Sequence, residues 1–216
     1  KKKKKLIGDL HEPFCLDAYL DFAIEQKNKY NCNEIIFIGD IIDNHYSSYH
    51  ETDPDGLSGG NELNLAIKRI SRWYEAFPKA TVIIGNHDRM VMRKSQTANI
   101  PKAWIKSYKE VLNVPNWTFT EKLELDGVLY QHGEGGTART ASKNHMINVV
   151  QGHYHTQCYT EHFVGLNYRI FATQVGCGID HDSYAMGYAK HGKKPSIGLA
   201  VVLDNGTLPI NILMNL

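Results

Sequence analysis

Short apolar runs rich in β-branched residues recur along the chain, and each stops abruptly at a glycine or a polar residue. The runs are too short for helices and too uniformly apolar for half-exposed strands, so they predict buried strands of a sheet. The four clearest runs are residues 34–38, 81–84, 128–131 and 147–151. A fifth, shorter candidate strand ends just before Asp9.

Amphipathic stretches lie among these runs. Apolar residues at helical spacing predict helices over residues 63–77 and, after Pro101, over 104–111, while a less regular pattern predicts a third helix over 14–30. We expect the aromatic residues of these stretches, among them Trp104, to belong to the core rather than to a ligand site. Strands that alternate with helices in the first half predict β-α-β units and a largely parallel sheet.

The second half of the chain has a different pattern. An Asp-Gly turn at residues 126–127 lies between apolar runs and predicts a hairpin, and residues 204–206 separate the runs 197–203 and 208–213 in the same way. Helical signals are sparse here. We therefore expect a second, mainly antiparallel or mixed sheet that faces the first.

Length and composition indicate a globular protein. With 216 residues, 42% of them hydrophobic and 22% charged, the chain can bury a substantial core, and we expect one domain over residues 1–216. Residues 44–61, rich in Gly, Ser, Pro and Asp, predict a long surface loop that could cover substrate.

The four cysteines show no C-x-x-C spacing, which argues against a zinc ribbon. No run resembles a membrane span or signal peptide, so we expect a soluble, cytoplasmic protein that does not bind membranes; its oligomeric state stays open.

Lysines crowd the beginning of the chain, where residues 1–5 are all lysine. The net charge is +1, but outside this run 19 basic residues face 23 acidic ones. The body of the protein is therefore not expected to be a basic nucleic-acid surface. We expect the lysine run itself to be a solvated tail.

Polar residues that can bind metal follow the predicted strands. Ligands of open α/β sheets collect at the carboxyl ends of strands, so these side chains are expected to meet. A mixture of imidazole, carboxylate and amide groups suits Mn²⁺, Fe, Zn²⁺, Co²⁺ or Ni²⁺ better than Ca²⁺. One such residue alone is more often a turn former than a ligand, but the set together favours a metal site. The candidate ligands are Asp9, His11, Asp40, Asn86, His132, His153 and His155.

These residues belong to five short motifs. The motifs are Gly8-Asp9-x-His11, Gly39-Asp40-x-x-Asp43, Gly85-Asn86-His87-Asp88, His132-Gly133 and Gly152-His153-x-His155. In this order they resemble the motifs of the calcineurin-like metallophosphoesterase superfamily, and the resemblance spans residues 8–155. Each motif alone is weak because Gly-Asp and Gly-His pairs are common in turns, but five in order are specific. The resemblance implies a four-layer α-β-β-α sandwich of two facing mixed sheets.

The resemblance also implies a centre with two divalent metal ions, for which Mn²⁺ is the leading candidate. One ion would be held by Asp9, His11, Asp40 and His155. The other would be held by Asp40, Asn86, His132 and His153. Asp40 would bridge the two ions, and a hydroxide shared between them would attack phosphorus in line.

Further roles follow from the same resemblance. His87 would stabilise the transferring phosphate and protonate the leaving oxygen, while Asp88 would set the tautomer of His87 and raise its pKa. Asp43 would either orient the metal ligands through hydrogen bonds or cap the turn that follows it. Independently of the resemblance, Arg89 and Arg139 follow two of the motifs and are therefore candidates to bind a phosphate oxygen. His45, in the loop after Asp43, could reach substrate, although a solvated loop histidine is the simpler interpretation.

Residues around the motifs narrow the substrate class. Protein phosphatases of the superfamily usually read Gly-Asp-x-x-Asp-Arg-Gly and Gly-Asn-His-Glu, whereas Asn44 and His45 follow Asp43 here, and Asp88 follows His87. These differences disfavour a protein phosphatase. Because the residues outside the lysine run are also net acidic, which disfavours binding along a long duplex, we expect a phosphodiesterase that acts on a nucleotide or a short nucleic acid, as a nuclease does. The tyrosines that could stack on a base are Tyr46, Tyr49, Tyr154 and Tyr184.

Three alternatives stay open. The chain could be a phosphomonoesterase or protein phosphatase of the same superfamily, a noncatalytic binding protein that kept the metals, or a protein with a structural metal site. The presence of His87 argues against the second alternative. Structural zinc sites are closed and rich in Cys or His, unlike this carboxylate-bearing set, which argues against the third.

Overall fold

The computed structural model describes residues 2–49, 52–183, 185–186 and 193–215. Tyr184 and residues 50–51 of the predicted surface loop lie outside these ranges. The helices are α1 (Asp17–Tyr30), α2 (Gly59–Ala76), α3 (Met90–Thr97), α4 (Tyr108–Leu112) and α5 (Ala138–His145). The strands are β1 (Lys4–Ile7), β2 (Glu34–Phe37), β3 (Thr81–Ile83), β4 (Thr118–Thr120), β5 (Lys122–Leu125), β6 (Val128–Gln131), β7 (Asn148–Gln151), β8 (Cys158–Val164), β9 (Arg169–Val175), β10 (Gly198–Leu203) and β11 (Leu208–Leu213).

Two mixed sheets face each other. The first has the strand order β11-β10-β1-β2-β3-β4, and the second has the order β5-β6-β7-β9-β8. Strands β1 to β4 run parallel, and β10 pairs antiparallel with β1. In the second sheet β6, β7 and β9 are parallel, with antiparallel strands at both edges.

The alternation of side chains explains why the strand sequences are apolar throughout. In β2, Ile36 packs between the sheets, whereas its neighbour Phe37 packs under the helices of the first sheet, together with Trp73 of α2. Both faces of the first sheet are therefore buried. Ala138 of α5 packs on the outer face of the second sheet against Ala172. The predicted four-layer α-β-β-α sandwich of two mixed sheets is confirmed.

The hairpin formed by β10 and β11 was expected in the second sheet, and this expectation is wrong. The hairpin extends the first sheet because β10 pairs with β1, with Leu6 opposite Ala200. A hairpin in either sheet would show the same pattern of apolar residues, so this pattern does not reveal which sheet the hairpin joins.

The predicted helix over 104–111 is interrupted. Residues Lys102–Trp104 form a 3₁₀ turn, and α4 begins only after Ser107. Ser107 and Glu110 form a capping box, which starts a new helix at that point. Trp104 was expected in the core, but 81% of its surface is exposed.

The lysine run is only in part a solvated tail. Lys4 and Lys5 lie in β1, and both are fully buried. The ammonium group of Lys4 forms an ion pair with Asp126. Lys5 lies over the ring of Phe77, 4.9 Å from its centroid, and burial lowers the pKa of Lys5 to about 7. None of the helices in the described residues is long and apolar enough to cross a membrane.

A buried ion pair fixes the loop after β1 to α2. Arg69 donates to Glu12 at 2.5 Å, and Trp73 donates to the other oxygen of Glu12 at 2.9 Å. We predict that Arg69→Met lowers the free energy of unfolding by about 3 kcal/mol, because a buried carboxylate loses its cation. Urea denaturation measures this change. Arg72→Met, which removes only a 3.4 Å contact with the exposed Asp17, is the control and should cost less than about 0.5 kcal/mol. Equal losses in the two variants would contradict the prediction.

Candidate metal centre

The predicted ligands follow parallel strands of both sheets. Strands β1, β2 and β3 are adjacent and parallel in the first sheet, and β6 and β7 are so in the second. The loops that follow them leave from the same edge of each sheet. The candidate ligands on these loops are Asp9 and His11 after β1, Asp40 after β2, Asn86 after β3, His132 after β6, and His153 and His155 after β7.

Three of these residues have a left-handed backbone. The angle φ is 51° at His11, 48° at Asp40 and 71° at His153. Residues other than glycine rarely adopt this conformation, which costs on the order of 1–3 kcal/mol and persists where the surroundings impose it. The strain at all three places aims a polar side chain into the same region.

Two glycines allow the loops to approach each other. A Cβ atom at Gly39 would lie 2.5 Å from Nδ1 of His132, and one at Gly152 would lie 2.3 Å from Oδ1 of Asp9. Any larger residue at either position would displace the neighbouring candidate ligand. This close approach explains why a glycine precedes the polar residue in these motifs.

One group of candidate ligands consists of Asp9, His11, Asp40 and His155, whose ligand atoms all lie within 4.8 Å of one another. Nε2 of His155 is 3.1 Å from Oδ2 of Asp9, and Nε2 of His11 is 3.6 Å from Oδ2 of Asp40. Nδ1 of His11 forms a hydrogen bond of 2.5 Å with Asp43, which orients the ring. Nε2 of His11 is buried without a hydrogen-bond partner among the described residues. Such an orphaned nitrogen facing a carboxylate fits a bound cation.

A second group surrounds the other side of Asp40. Nε2 of His132 lies 3.1 Å from Oδ2 of Asp40, 3.0 Å from Oδ1 of Asn86 and 3.3 Å from Nδ1 of His153. Nδ1 of His132 donates to the carbonyl oxygen of Ile38 at 2.8 Å, so its Nε2 carries the lone pair in the neutral ring. Three acceptor atoms thus converge on Nε2 of His132, where either a proton or a cation can balance their lone pairs. Oδ2 of Asp40 lies within reach of both groups.

The charges around Asp40 compensate one another. Burial alone would raise the pKa of Asp40. The imidazoles of His132, His87 and His11 nevertheless hold this pKa well below its usual range. Burial would lower the pKa of His132, but Asp40 raises that pKa to about 10. Without a metal ion, a proton on His132 therefore supplies the positive charge that this carboxylate needs. A divalent cation can supply it instead, so the residues present fit such an ion.

His87 lies beside this cluster and is held in one tautomer. Its Nδ1 donates to the carbonyl oxygen of Asp43 at 2.6 Å, and its backbone N–H donates to Oδ1 of Asp40 at 2.8 Å. Because Nδ1 keeps its proton, Nε2 is the nitrogen of the ring that gains or loses a proton. Burial would lower the pKa of His87, but Asp40 and Asp43 together raise it above its ordinary value. His11, Asp43 and His87 are close enough to hold an ion, but hydrogen bonds already explain this group.

Asp88 meets only half of the expectation, because it contributes to the raised pKa of His87 but does not contact the ring nitrogen that sets the tautomer. Its Oδ2 accepts a hydrogen bond from the N–H group of Gly85 at 2.8 Å, and its Oδ1 accepts from Ile41 at 3.0 Å and Ile42 at 3.3 Å. The carboxylate therefore joins the loops after β2 and β3. The expectation that Asp88 sets the tautomer of His87 is wrong, because a backbone carbonyl occupies Nδ1. Sequence order suggested the adjacent aspartate, whereas the actual partner comes from another motif.

Arg89 borders the centre but its guanidinium is engaged. It donates to Glu134, lies 3.1 Å from Glu121 and donates to the carbonyl oxygen of Ile84 at 3.0 Å. Arg89 and His132 line a cavity of about 390 Å³. The arginine predicted to bind phosphate thus forms part of a pocket wall beside the candidate metal ligands.

His45 is not a solvated loop histidine, because only 8% of its surface is exposed. Its backbone N–H donates to Glu62 at 2.8 Å, and its Nε2 accepts from the N–H group of Asp53 at 3.2 Å. Its Nδ1 lies 4.0 Å from Asp43. His45 therefore packs the loop after β2 onto α2, with its ring nitrogens turned to the protein.

Arg139 is directed to another part of the molecule. It lies at the beginning of α5, donates to Glu161 of β8 and stacks on Tyr159, with its guanidinium carbon 4.0 Å from the ring centroid. These contacts place it on the outer face of the second sheet. The structure does not bring Arg139, which was predicted to bind phosphate, to the candidate metal ligands.

The tyrosines proposed as stacking residues have different surroundings. The ring of Tyr154 lies 5.1 Å from that of His153, at the border of the centre. Tyr46 is half-buried in the loop before α2, whereas Tyr49 is 58% exposed.

Comparisons with known proteins address the family. The family model of the calcineurin-like phosphoesterases matches residues 4–168. No curated protein matches the chain. Among solved structures, a phosphoesterase from E. coli, Yfce, is similar over 99% of this chain and 100% of its own, with 12% identity and a TM-score of 0.45. A mutant of Vps29 from Entamoeba histolytica covers 99% of both chains at 12% identity and a TM-score of 0.40. The nuclease MPE from Pseudomonas putida covers 98% of this chain and 87% of its own at 14% identity and a TM-score of 0.40.

Proposed function

Because the chain belongs to the calcineurin-like phosphoesterase family, we propose that it is a dimetal phosphodiesterase that hydrolyses a nucleotide or a short nucleic acid. Family membership supports phosphoester hydrolysis as the class of reaction. The observation that carries the finer proposal is the position of Asp40, whose Oδ2 lies 3.6 Å from His11 and 3.1 Å from His132, between the two groups of candidate ligands.

We assign one ion to Asp9, His11, Asp40 and His155. We assign the other to Asp40, Asn86, His132 and His153. Bound cations of this kind neutralise phosphate charge and lower the pKa of water to near neutrality. Mixed nitrogen and oxygen donors favour Mn²⁺, with Fe, Zn²⁺, Ni²⁺ and Co²⁺ as the other candidates.

His87 acts on the substrate in this proposal. Nδ1 of His87 donates a hydrogen bond to the carbonyl oxygen of Asp43 at 2.6 Å. The His87 side chain is 14% exposed, so the ring reaches the open face of the centre. A protonated His87 can stabilise a phosphate oxygen and then deliver its proton to the leaving oxygen. Asp43 serves as a positioning residue because it contacts both His11 and His87.

The cavity next to His132 supports a diester substrate. Its volume of about 390 Å³ is within the usual range of small-molecule sites, so it can take the second substituent of a phosphodiester. Its lining includes residues 133–136 and Asn144, which offer hydrogen bonds to a polar group.

All four cysteines are free thiols, which supports a reducing compartment such as the cytoplasm.

The test combines metals with substrates. After treatment with EDTA, we expect the protein to lose hydrolysis of bis(p-nitrophenyl) phosphate and to regain it with Mn²⁺, with kcat/KM at least about tenfold higher than for p-nitrophenyl phosphate. Initial rates with Mn²⁺, Ni²⁺, Zn²⁺ and Mg²⁺ measure this preference. A preference for the monoester would overturn the phosphodiesterase assignment. Tight metal binding without turnover of any ester would instead support the noncatalytic alternative.

A further inference from the structure

The segment after His87 differs in charge from the rest of the chain. Residues 90–109 contain five of the chain's 24 lysines and arginines and none of its 23 acidic residues, so 19 basic residues face 23 acidic ones elsewhere. The five cations are Arg93, Lys94, Lys102, Lys106 and Lys109. Among the residues that the structure describes, none of these five forms an ion pair with an acidic side chain within 4.0 Å. Their charge is therefore available to an anionic ligand.

Exposed aromatic rings accompany this charge. Trp104 ends the 3₁₀ turn Lys102–Trp104 and is 81% exposed, whereas Trp73 is 2% exposed and Trp117 is fully buried. The guanidinium of Arg93 lies 5.0 Å from the ring centroid of Tyr49, which is 58% exposed. Large aromatic rings that remain in water beside cations are typical of surfaces on which bases stack. We call residues 90–109 together with Tyr49 the basic surface.

The basic surface is continuous with the metal centre. Helix α3 begins at Met90, three residues after His87, and Nζ of Lys94 donates to the carbonyl oxygen of Ser48 at 3.3 Å. This bond connects α3 to the loop that leaves the centre after Asp43. Ile100 N–H then donates back to Ser95 of α3 at 2.8 Å, so the segment that carries Trp104 is folded onto the same helix.

We propose that the basic surface binds one strand of nucleic acid whose scissile phosphate lies at the metal centre, so that the substrate is a single-stranded polynucleotide. This inference rests on the proposed phosphodiesterase function. The five cations would contact successive phosphates, while Trp104 and Tyr49 would stack on unpaired bases, an interaction that tolerates any sequence. A duplex keeps its bases paired and stacked, and the acidic remainder of the protein would repel its second strand.

Binding is measured without catalysis. In EDTA, titration with oligothymidylates of roughly 4, 8 and 16 nucleotides should quench tryptophan fluorescence, because Trp104 is the exposed tryptophan of the three. Affinity should rise with length. Trp104→Leu should remove the quenching. The same variant should weaken binding about tenfold, as measured by the fluorescence anisotropy of a labelled strand, and Trp104→Phe should restore part of the affinity.

A charge-matched pair of variants tests the cations. Arg93→Gln with Lys94→Gln should reduce the slope of log Kd against log salt by about 1.4, which corresponds to two phosphate contacts on a single strand. Lys68→Gln with Arg72→Gln removes the same charge from exposed positions on α2 and should leave the slope unchanged. Equal effects of the two pairs would show that only net charge matters and would overturn the assignment of this surface.

The outcomes separate this inference from the proposed function. Loss of quenching and a raised KM for oligonucleotides in Trp104→Leu, with bis(p-nitrophenyl) phosphate turnover unchanged, would support both. No oligothymidylate binding by the wild-type protein would overturn the basic surface as a strand site, whatever the small diester shows. Binding without hydrolysis of any diester would overturn the proposed function and leave the strand site supported. Binding of phosphatidylserine vesicles but not of oligothymidylate would assign the surface to a membrane and overturn the inference.

Discussion

Asp40→Asn is expected to lower the number of Mn²⁺ ions bound per chain and to reduce kcat/KM by more than about 100-fold. The loss of an outer partner of a metal ligand typically costs about 10- to 100-fold, and Asp40 contributes to both groups of candidate ligands. The substitution keeps the shape of the side chain, and its amide oxygen can still accept the N–H group of His87, now at 2.8 Å. The substitution therefore removes a negative charge from the site but leaves the fold intact.

Metal content by mass spectrometry after gel filtration, together with calorimetric titration of Mn²⁺, measures the effect. Asp21→Asn, an exposed position on α1, is the control for loss of one carboxylate. Thermal unfolding in EDTA checks that both variants fold. Wild-type stoichiometry and affinity in Asp40→Asn would contradict the two-ion assignment.

His87→Ala should retain the metal ions but lose about 10²- to 10⁴-fold in kcat, the range expected for removal of a general acid. The ring contacts Asp43 through Nδ1, and the structure places it next to the ligands rather than among the converging lone pairs. The loss should be larger for a nucleoside leaving group than for p-nitrophenolate, because the latter leaves without a proton. A purely structural role would slow both substrates equally.

Two controls accompany this prediction. His162→Ala removes an exposed imidazole on β8 and should leave kcat unchanged. Added imidazole should restore part of the activity of His87→Ala if the missing group transfers a proton. Wild-type turnover in His87→Ala, or a variant without metal, would show that the assigned role is wrong.

The sequence alone determined the fold class and brought together the candidate ligands. Runs such as residues 34–38 and 81–84 specify strands buried on both faces, and each ends in a motif. Because the carboxyl ends of parallel strands lie at one edge, a motif's place in the chain predicts its place in space. The metal assignment and the organisation as one domain stay predictions that the experiments above address.

Only the tertiary structure decided which partners these residues meet. The tautomer of His87 depends on the carbonyl of Asp43, not on the adjacent Asp88. Lys4 is buried because the turn after β5 brings Asp126 to it, and Trp104 is exposed because α4 starts afresh at Ser107. Local periodicity records whether a face is apolar, but it does not record which distant element covers that face. Strand pairing and loop packing join residues far apart in the chain, so partners, burial of charge and the open surface beside the centre follow only from the assembled fold.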